Sequence, residues 1–158
     1  MKTENATNKS VKAIPEGFHT VTPFIVADNA AQFISFLTKA FDAKLLYQMK
    51  IEETNKISHA TIKIGDSIVM ISDVSDKMNV SPCMLYLYVE DVDSVYKKAL
   101  NAKGTSIREP LTEFYGDRSA GVKDAWGNQW WIATHVEDVS EEELKIRKDQ
   151  FIHQHTQA

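Results

Sequence analysis

Hydrophobic positions along this chain change period several times, and each change marks an element. Ala30, Phe33, Ile34, Leu37 and Phe41 recur at helical spacing. Asp28 or Asn29 stands ahead of them as a capping residue. Before that helix, Phe18–Val26 is rich in β-formers, and Pro23 inside it predicts an edge or first strand. After it, Lys44–Ile51, Ile57–Ile64 and Ser67–Ser72 read as three strands, with turns at Thr54-Asn55 and Gly65-Asp66. The pattern then restarts. Met84–Val89 reads as a strand, and Asp91 caps a helix with Val92, Val95, Tyr96, Ala99 and Leu100 on its inner face. Gly104 is expected to stop that helix, and Thr105–Arg108 predicts a short strand that ends before Pro110.

Two further strands fill Tyr115–His135, joined by a tight turn at Asp124-Ala125-Trp126-Gly127-Asn128. In the second, Gln129, Trp131, Ala133 and His135 point one way, and Trp130, Ile132 and Thr134 the other. Two adjacent tryptophans thus place one ring on each face of a sheet, one under a helix and one toward whatever the sheet encloses. The strand-plus-helix FIVADNAAQFISFLTKAF recurs as LYVEDVDSVYKKAL roughly 60 residues later, an internal repeat. The element order is therefore βαβββ, twice, an α+β fold.

The predicted boundaries are a polar tail over residues 1–16 and one domain over residues 17–137. Its first module covers about 17–80 and its second about 81–137, and a helix and tail occupy 138–158. The last helix opens with Ser140 and Glu143 as a capping box, and carries the i,i+4 pairs Glu141–Lys145 and Glu143–Arg147. Its end, HQHTQA, is expected to fray, with His153 and His155 solvated.

Composition narrows the function classes. The 158 residues are 43% hydrophobic, enough for a real core. A net charge of -4 argues against nucleic acid or an anionic membrane as partner. No run reaches the ~18 apolar residues of a membrane span, and the polar start MKTENATNKS has no apolar leader core, so a cytoplasmic protein is expected. Cys83 is the one cysteine, read as a buried thiol.

VTPFIVADNAAQFISFLTKAF, its repeat, YGDR, DAWGNQWWIATH and EDVSEEELKIR together resemble the vicinal-oxygen-chelate superfamily, from about Phe18 to Arg147. That is the fold of glyoxalases, bleomycin-resistance proteins and extradiol dioxygenases, and the likeness is closest to its uncharacterised glyoxalase-like branch. The resemblance implies two βαβββ modules forming a curved, partly open mixed β-barrel with helices outside. It also implies a homodimer.

Metal-dependent members of that superfamily place one ligand at each of four inward strand positions. Those positions carry over to Thr22, Met70, Met84 and Trp131. A thioether is too soft for Mg²⁺, Mn²⁺ or Zn²⁺, and an indole is no ligand, so neither metal nor cofactor is expected. Alternation adds Phe24 and Val26 beside Thr22, Tyr86 and Tyr88 beside Met84, and Gln129 beside Trp131. With Ala60, Ile62 and Ile64 in the core, His59 and Thr61 face the cavity.

The expected function is metal-free binding of a small aromatic or amphipathic molecule in the cavity, bleomycin-resistance-like. The alternative is a lyase or isomerase of the glyoxalase or dioxygenase type. It would use metal ligands elsewhere, or His59 as general base. The same side chains can also simply fill a core. Arg118 is expected to clamp a carboxylate or phosphate, or else to form a salt bridge between modules. His19 and His135, near strand ends, read as surface or capping groups.

Overall fold

A computed structural model describes residues 11–155. Of the expected polar tail, residues 1–10 lie outside the described residues, and residues 11–16 are exposed without helix or strand. The first module runs β1 (Phe24–Ala27), α1 (Ala30–Phe41), β2 (Lys44–Lys50), β3 (Ile57–Ile64) and β4 (Ser67–Asp73). The second repeats it as β5 (Met84–Tyr88), α2 (Val92–Asn101), β6 (Thr105–Thr112), β7 (Asp117–Lys123) and β8 (Gln129–His135). Helix α3 (Glu141–His155) closes the described chain.

Each module builds one four-stranded sheet, in the orders β1-β4-β3-β2 and β5-β8-β7-β6. The first strand of each module lies parallel to the fourth, and the other pairings are antiparallel. The two sheets are not hydrogen-bonded to each other and do not close into a barrel.

What joins the modules is helix packing. One face of α1 buries Phe33, Ile34, Phe36, Leu37 and Phe41, and α2 buries Val92, Tyr96 and Ala99. The helices lie side by side, and one hydrophobic core runs through both modules, taking in Ile62, Ile71, Val122, Trp130 and Ile132. Each such large apolar side chain stabilises by about 1.5–3 kcal/mol when fully buried. Phe41 of α1 meets Trp130 of β8 at 4.8 Å between ring centroids, and Phe33 meets Trp126 at 4.9 Å, edge on. The Trp126 indole N–H also donates to the Asp28 carbonyl, tying the β7–β8 turn to the start of α1.

Several boundaries differ from expectation, each for a local reason. Strand β1 begins at Phe24, not Phe18, because Pro23 has no N–H to give and the segment before it turns. Within that turn Thr22 donates its hydroxyl to the His19 carbonyl at 2.8 Å. Strand β6 continues through Pro110 to Thr112. It is an edge strand whose register shifts between Ser106 and Arg108 and again between Arg108 and Leu111, so a residue lacking N–H is tolerated. After α2 the left-handed position belongs to Lys103 (φ 79), not to Gly104. Gly104 is needed for space, since a Cβ there would run into Val122 and the Ala99 carbonyl.

Helix α3 continues through His155, so the expected fraying over His153–His155 is not seen, and residues 156–158 lie outside the described residues. Half of its capping box forms. The Glu143 amide donates to Ser140 Oγ at 3.2 Å, but the Glu143 carboxylate turns to Arg147 Nε at 2.8 Å.

Candidate functional site

Helices cover one face of each sheet and leave the other open. On the first sheet the open face carries Phe24, Met70, His59, Thr61, Tyr47 and Met49, by register and alternation. Phe24, Tyr47 and Met49 remain 42%, 56% and 50% exposed. His59 lies between two rings, 6.0 Å from Phe24 and 6.4 Å from Tyr47 by centroid, and its Nε2 shares a 3.2 Å hydrogen bond with the Thr61 hydroxyl.

The second open face is layered. A row crosses the sheet through Tyr86 on β5, Trp131 on β8, Gly121 on β7 and Arg108 on β6, each opposite the next in register. The Trp131 indole reaches across Gly121. A Cβ at that glycine would stand 3.3 Å from two of its ring carbons, so the missing side chain makes room for the ring. Arg108 lies over the same ring, its guanidinium carbon 4.9 Å from the centroid. The guanidinium is held by Glu113 through Nη1 and by the Ser119 hydroxyl and carbonyl through Nη2. Beneath this layer Asp117, Ser119 and Ala133 are buried.

A second polar line crosses the same face. Tyr88 donates to Asp117 Oδ2 at 3.0 Å, Asp117 Oδ1 meets His135 Nδ1 at 2.8 Å, and His135 Nε2 meets Asp138 at 2.9 Å. Its hydrogen bond to Asp117 first, and that carboxylate's charge second, push the Tyr88 phenol pKa up. Burial, followed by neighbouring Tyr115, Asp117 and Tyr88, pushes Tyr86 up to about 12. Both phenols stay protonated at neutral pH, and Tyr88 donates to Asp117. His135 is raised by its hydrogen bonds to Asp117 and then Asp138.

The consequence for stability has a definite sign. The folded state favours the imidazolium over the unfolded chain. The contribution is complete below the ordinary value of 6.5 and is lost as pH rises through the higher folded value. Melting temperatures of wild type and His135→Gln, compared between about pH 5 and pH 9, should differ most at the acidic end and converge at the alkaline end. A pH-independent difference would count against this pairing.

The structure brings some nominated residues together and separates others. Met84, Tyr86, Tyr88, Gln129 and Trp131 share the second open face, and Phe24, His59 and Met70 share the first. Within one chain these are two surfaces and not one lining. A cleft of ≈ 1320 Å³ does lie between the modules, lined by Val21, Lys63, Ile68, Leu85 and Val89 among others, but only Tyr86 and Tyr88 of the nominated set reach it. Thr22 stands before β1 with its hydroxyl turned to its own loop.

Arg118 is a correction. It points to the helix side, where Nε and Nη2 grip Asp93 of α2 at 2.7 and 2.8 Å. The salt bridge thus stays within the second module and is no ligand clamp. The cation on the open face is Arg108 instead, which the expected end of β6 before Pro110 left at a strand terminus. His135 lies at the surface as expected, 51% exposed, and also belongs to the Tyr88–Asp117 line. Asp117 lies eighteen residues earlier in sequence and comes opposite His135 only through the β7–β8 pairing.

The residues at the carried-over ligand positions do not suit a metal ion of the superfamily type. Among the described residues no group of three or more His, Cys, Asp or Glu could hold one, and Met70, Met84 and Trp131 offer only thioethers and an indole. Among the described residues, too, no helix is long and apolar enough to cross a membrane.

Comparison with known proteins gives a consistent picture. The model of the Glyoxalase/Bleomycin resistance protein/Dioxygenase superfamily matches residues 17–132. An uncharacterized protein of Mycobacterium bovis is 31% identical over 136 residues, covering 79% of this chain and 89% of the relative. An uncharacterized protein of Mycobacterium tuberculosis is also 31% identical over 136 residues, covering 79% of each chain. Among solved structures, TioX from Micromonospora sp. ML1 superposes with a TM-score of 0.62 at 20% identity, covering 73% of this chain and 99% of that one. A putative 3-demethylubiquinone-9 3-methyltransferase, PhnB protein, from Bacillus cereus gives 0.60 at 20% identity, covering 73% and 99%. At such identities the likeness concerns the fold.

Proposed function

Since this chain belongs to the glyoxalase/bleomycin resistance protein/dioxygenase superfamily, we propose that it is a metal-free cytoplasmic protein that binds a small aromatic or amphipathic molecule as a homodimer. The observation that carries this reading is the character of the two open faces. The first presents Phe24, Tyr47 and Met49, and the second presents Met84, Tyr86 and Tyr88, exposed by 66%, 46% and 68%. Apolar walls with a few fixed polar groups suit small-molecule sites, and exposed aromatic and thioether rows call for a cover.

A second copy supplies that cover. In a twofold dimer the first-module face of one protomer meets the second-module face of its partner, and each of two cavities draws half its lining from each chain. The unpaired edges of β1 and β5 gain shelter in the same arrangement. Thioethers and an indole at the ligand positions favour binding over metal-assisted chemistry. A lone cysteine asks for no oxidising compartment, in keeping with the cytoplasm.

Two measurements on purified protein test the proposal together. Light scattering at micromolar concentration is expected to give the mass of a dimer. Elemental analysis after incubation with Zn²⁺, Ni²⁺ and Mn²⁺ and dialysis is expected to find no stoichiometric metal. A monomer would remove the shared cavities, and one retained metal per chain would return the protein to the catalytic class.

A further inference from the structure

We propose that Arg108 selects the ligand of the site described above, and that it selects planar aromatic molecules that are anionic or neutral over cationic ones. The inference rests on reading the open faces as ligand-binding, and it adds the chemical class of the ligand.

A guanidinium has two planar faces, and each stacks on an aromatic ring. Trp131 takes one, at 4.9 Å from the guanidinium carbon to the ring centroid. The plane is locked at its edges, by Glu113 on Nη1 and by Ser119 on Nη2. Its Nε is buried and has no hydrogen-bond partner among the described residues. Glu113 keeps only 12% of its side-chain exposure, whereas Arg108 keeps 34%. Arg108 is therefore a positive charge held in place at both Nη groups, with 34% of its side chain still exposed. The carboxylate that balances its charge is tucked away at the edge.

An aromatic ring laid on the Arg108 guanidinium extends the Trp131–Arg108 stack by one layer. A cationic ring in the same place meets a like charge in a partly desolvated setting, which weakens it. An anionic substituent gains a donor as well. Tyr86 lies in the same row, beside Trp131, and its phenol is protonated at neutral pH. Gly121 completes the arrangement by letting the indole lie across β7 to reach Arg108. The selecting group is thus built from four strands.

The test is isothermal titration of the full chain with three probes of one ring system: naphthoate, naphthylmethanol and naphthyltrimethylammonium. Wild type is expected to bind the anion and the neutral probe, with the cation weaker by about tenfold or more. Arg108→Met should lose the anion's advantage and bring all three within about threefold of one another. Arg108→Lys should keep the charge order while weakening every ring, because an ammonium has no planar face. Melting curves show which variants remain folded, and if Arg108→Met does not, Arg108→Lys carries the comparison. Equal binding of the three probes by wild type overturns the inference and leaves the binding reading intact. So does an undiminished charge preference in Arg108→Met. Failure of all three probes to bind removes the binding reading, and this inference with it.

Discussion

Asp124→Ala is expected to cost about 3–5 kcal/mol of stability, judged against ~1.5–3 kcal/mol for a hydrogen bond to a charged group without assuming additivity. The residue was legible in the sequence as a turn former, but its carboxylate does far more. It is buried, and it accepts from four N–H groups. Oδ1 takes the Trp126 and Asn128 amides at 2.9 Å each. Oδ2 takes the Asn128 side chain at 2.9 Å and the Trp130 indole at 2.8 Å. Asn128 in turn accepts from the Cys83 amide at 3.0 Å, which carries the knot to the start of β5. Alanine would orphan the buried indole N–H and the turn amides at once. The melting temperature should fall by roughly 10 °C or more, given ~2–4 °C per kcal/mol for a chain of this size. Asp124→Asn keeps the shape and one acceptor, and should fall between. Urea unfolding at fixed protein concentration measures both, and a loss below about 1 kcal/mol for alanine would show the network to be dispensable.

Gly116→Ala should be comparably damaging, about 2–4 kcal/mol, from a strained backbone and a steric clash together. Gly116 has φ +98, a conformation that side chains resist. A Cβ there would stand 2.1 Å from the Glu137 carbonyl oxygen, which cannot yield as a flexible side chain would. The same glycine accepts from the Val136 and Glu137 amides at 2.9 and 3.1 Å. It thereby fastens the chain leaving β8 to the turn before β7. Arg147 of α3 reaches that region too, binding both oxygens of Glu137 at 2.7 and 2.8 Å. The Phe114 and Phe151 rings meet at 5.2 Å. Thermal unfolding should show the loss, and near-ultraviolet circular dichroism should show altered surroundings for Tyr115. An unchanged melting temperature would mean that the turn can re-form around the added methyl.

Much of this architecture is written locally. Two βαβββ modules, Asp91 as a helix cap and the helical stripe of α1 follow from spacings within a dozen residues, because helix and strand periods are local properties of the backbone. The opposite fates of the two tryptophans follow the same way. Trp130 is buried beneath α1 and Trp131 lies on the open face, because adjacent strand residues must point apart. The open-face positions of His59, Thr61, Met84, Tyr86 and Tyr88 were equally legible.

What alternation cannot supply is the partner. Adjacent strand residues put Arg118 and Asp117 on opposite faces, yet only the packing of α2 brings Asp93 beneath Arg118. The Tyr88–Asp117–His135 line joins three strands, and the Arg108–Trp131 contact needed β6, β7 and β8 side by side in register. Above all, the sequence by itself determined the two sheets and the side chains on each face. That the open faces form two surfaces in one chain, and not a single lining, was decided by α1 packing on α2. That choice depends on side-chain volumes meeting across some sixty residues of chain, where loop entropy and core packing rule and local period is silent.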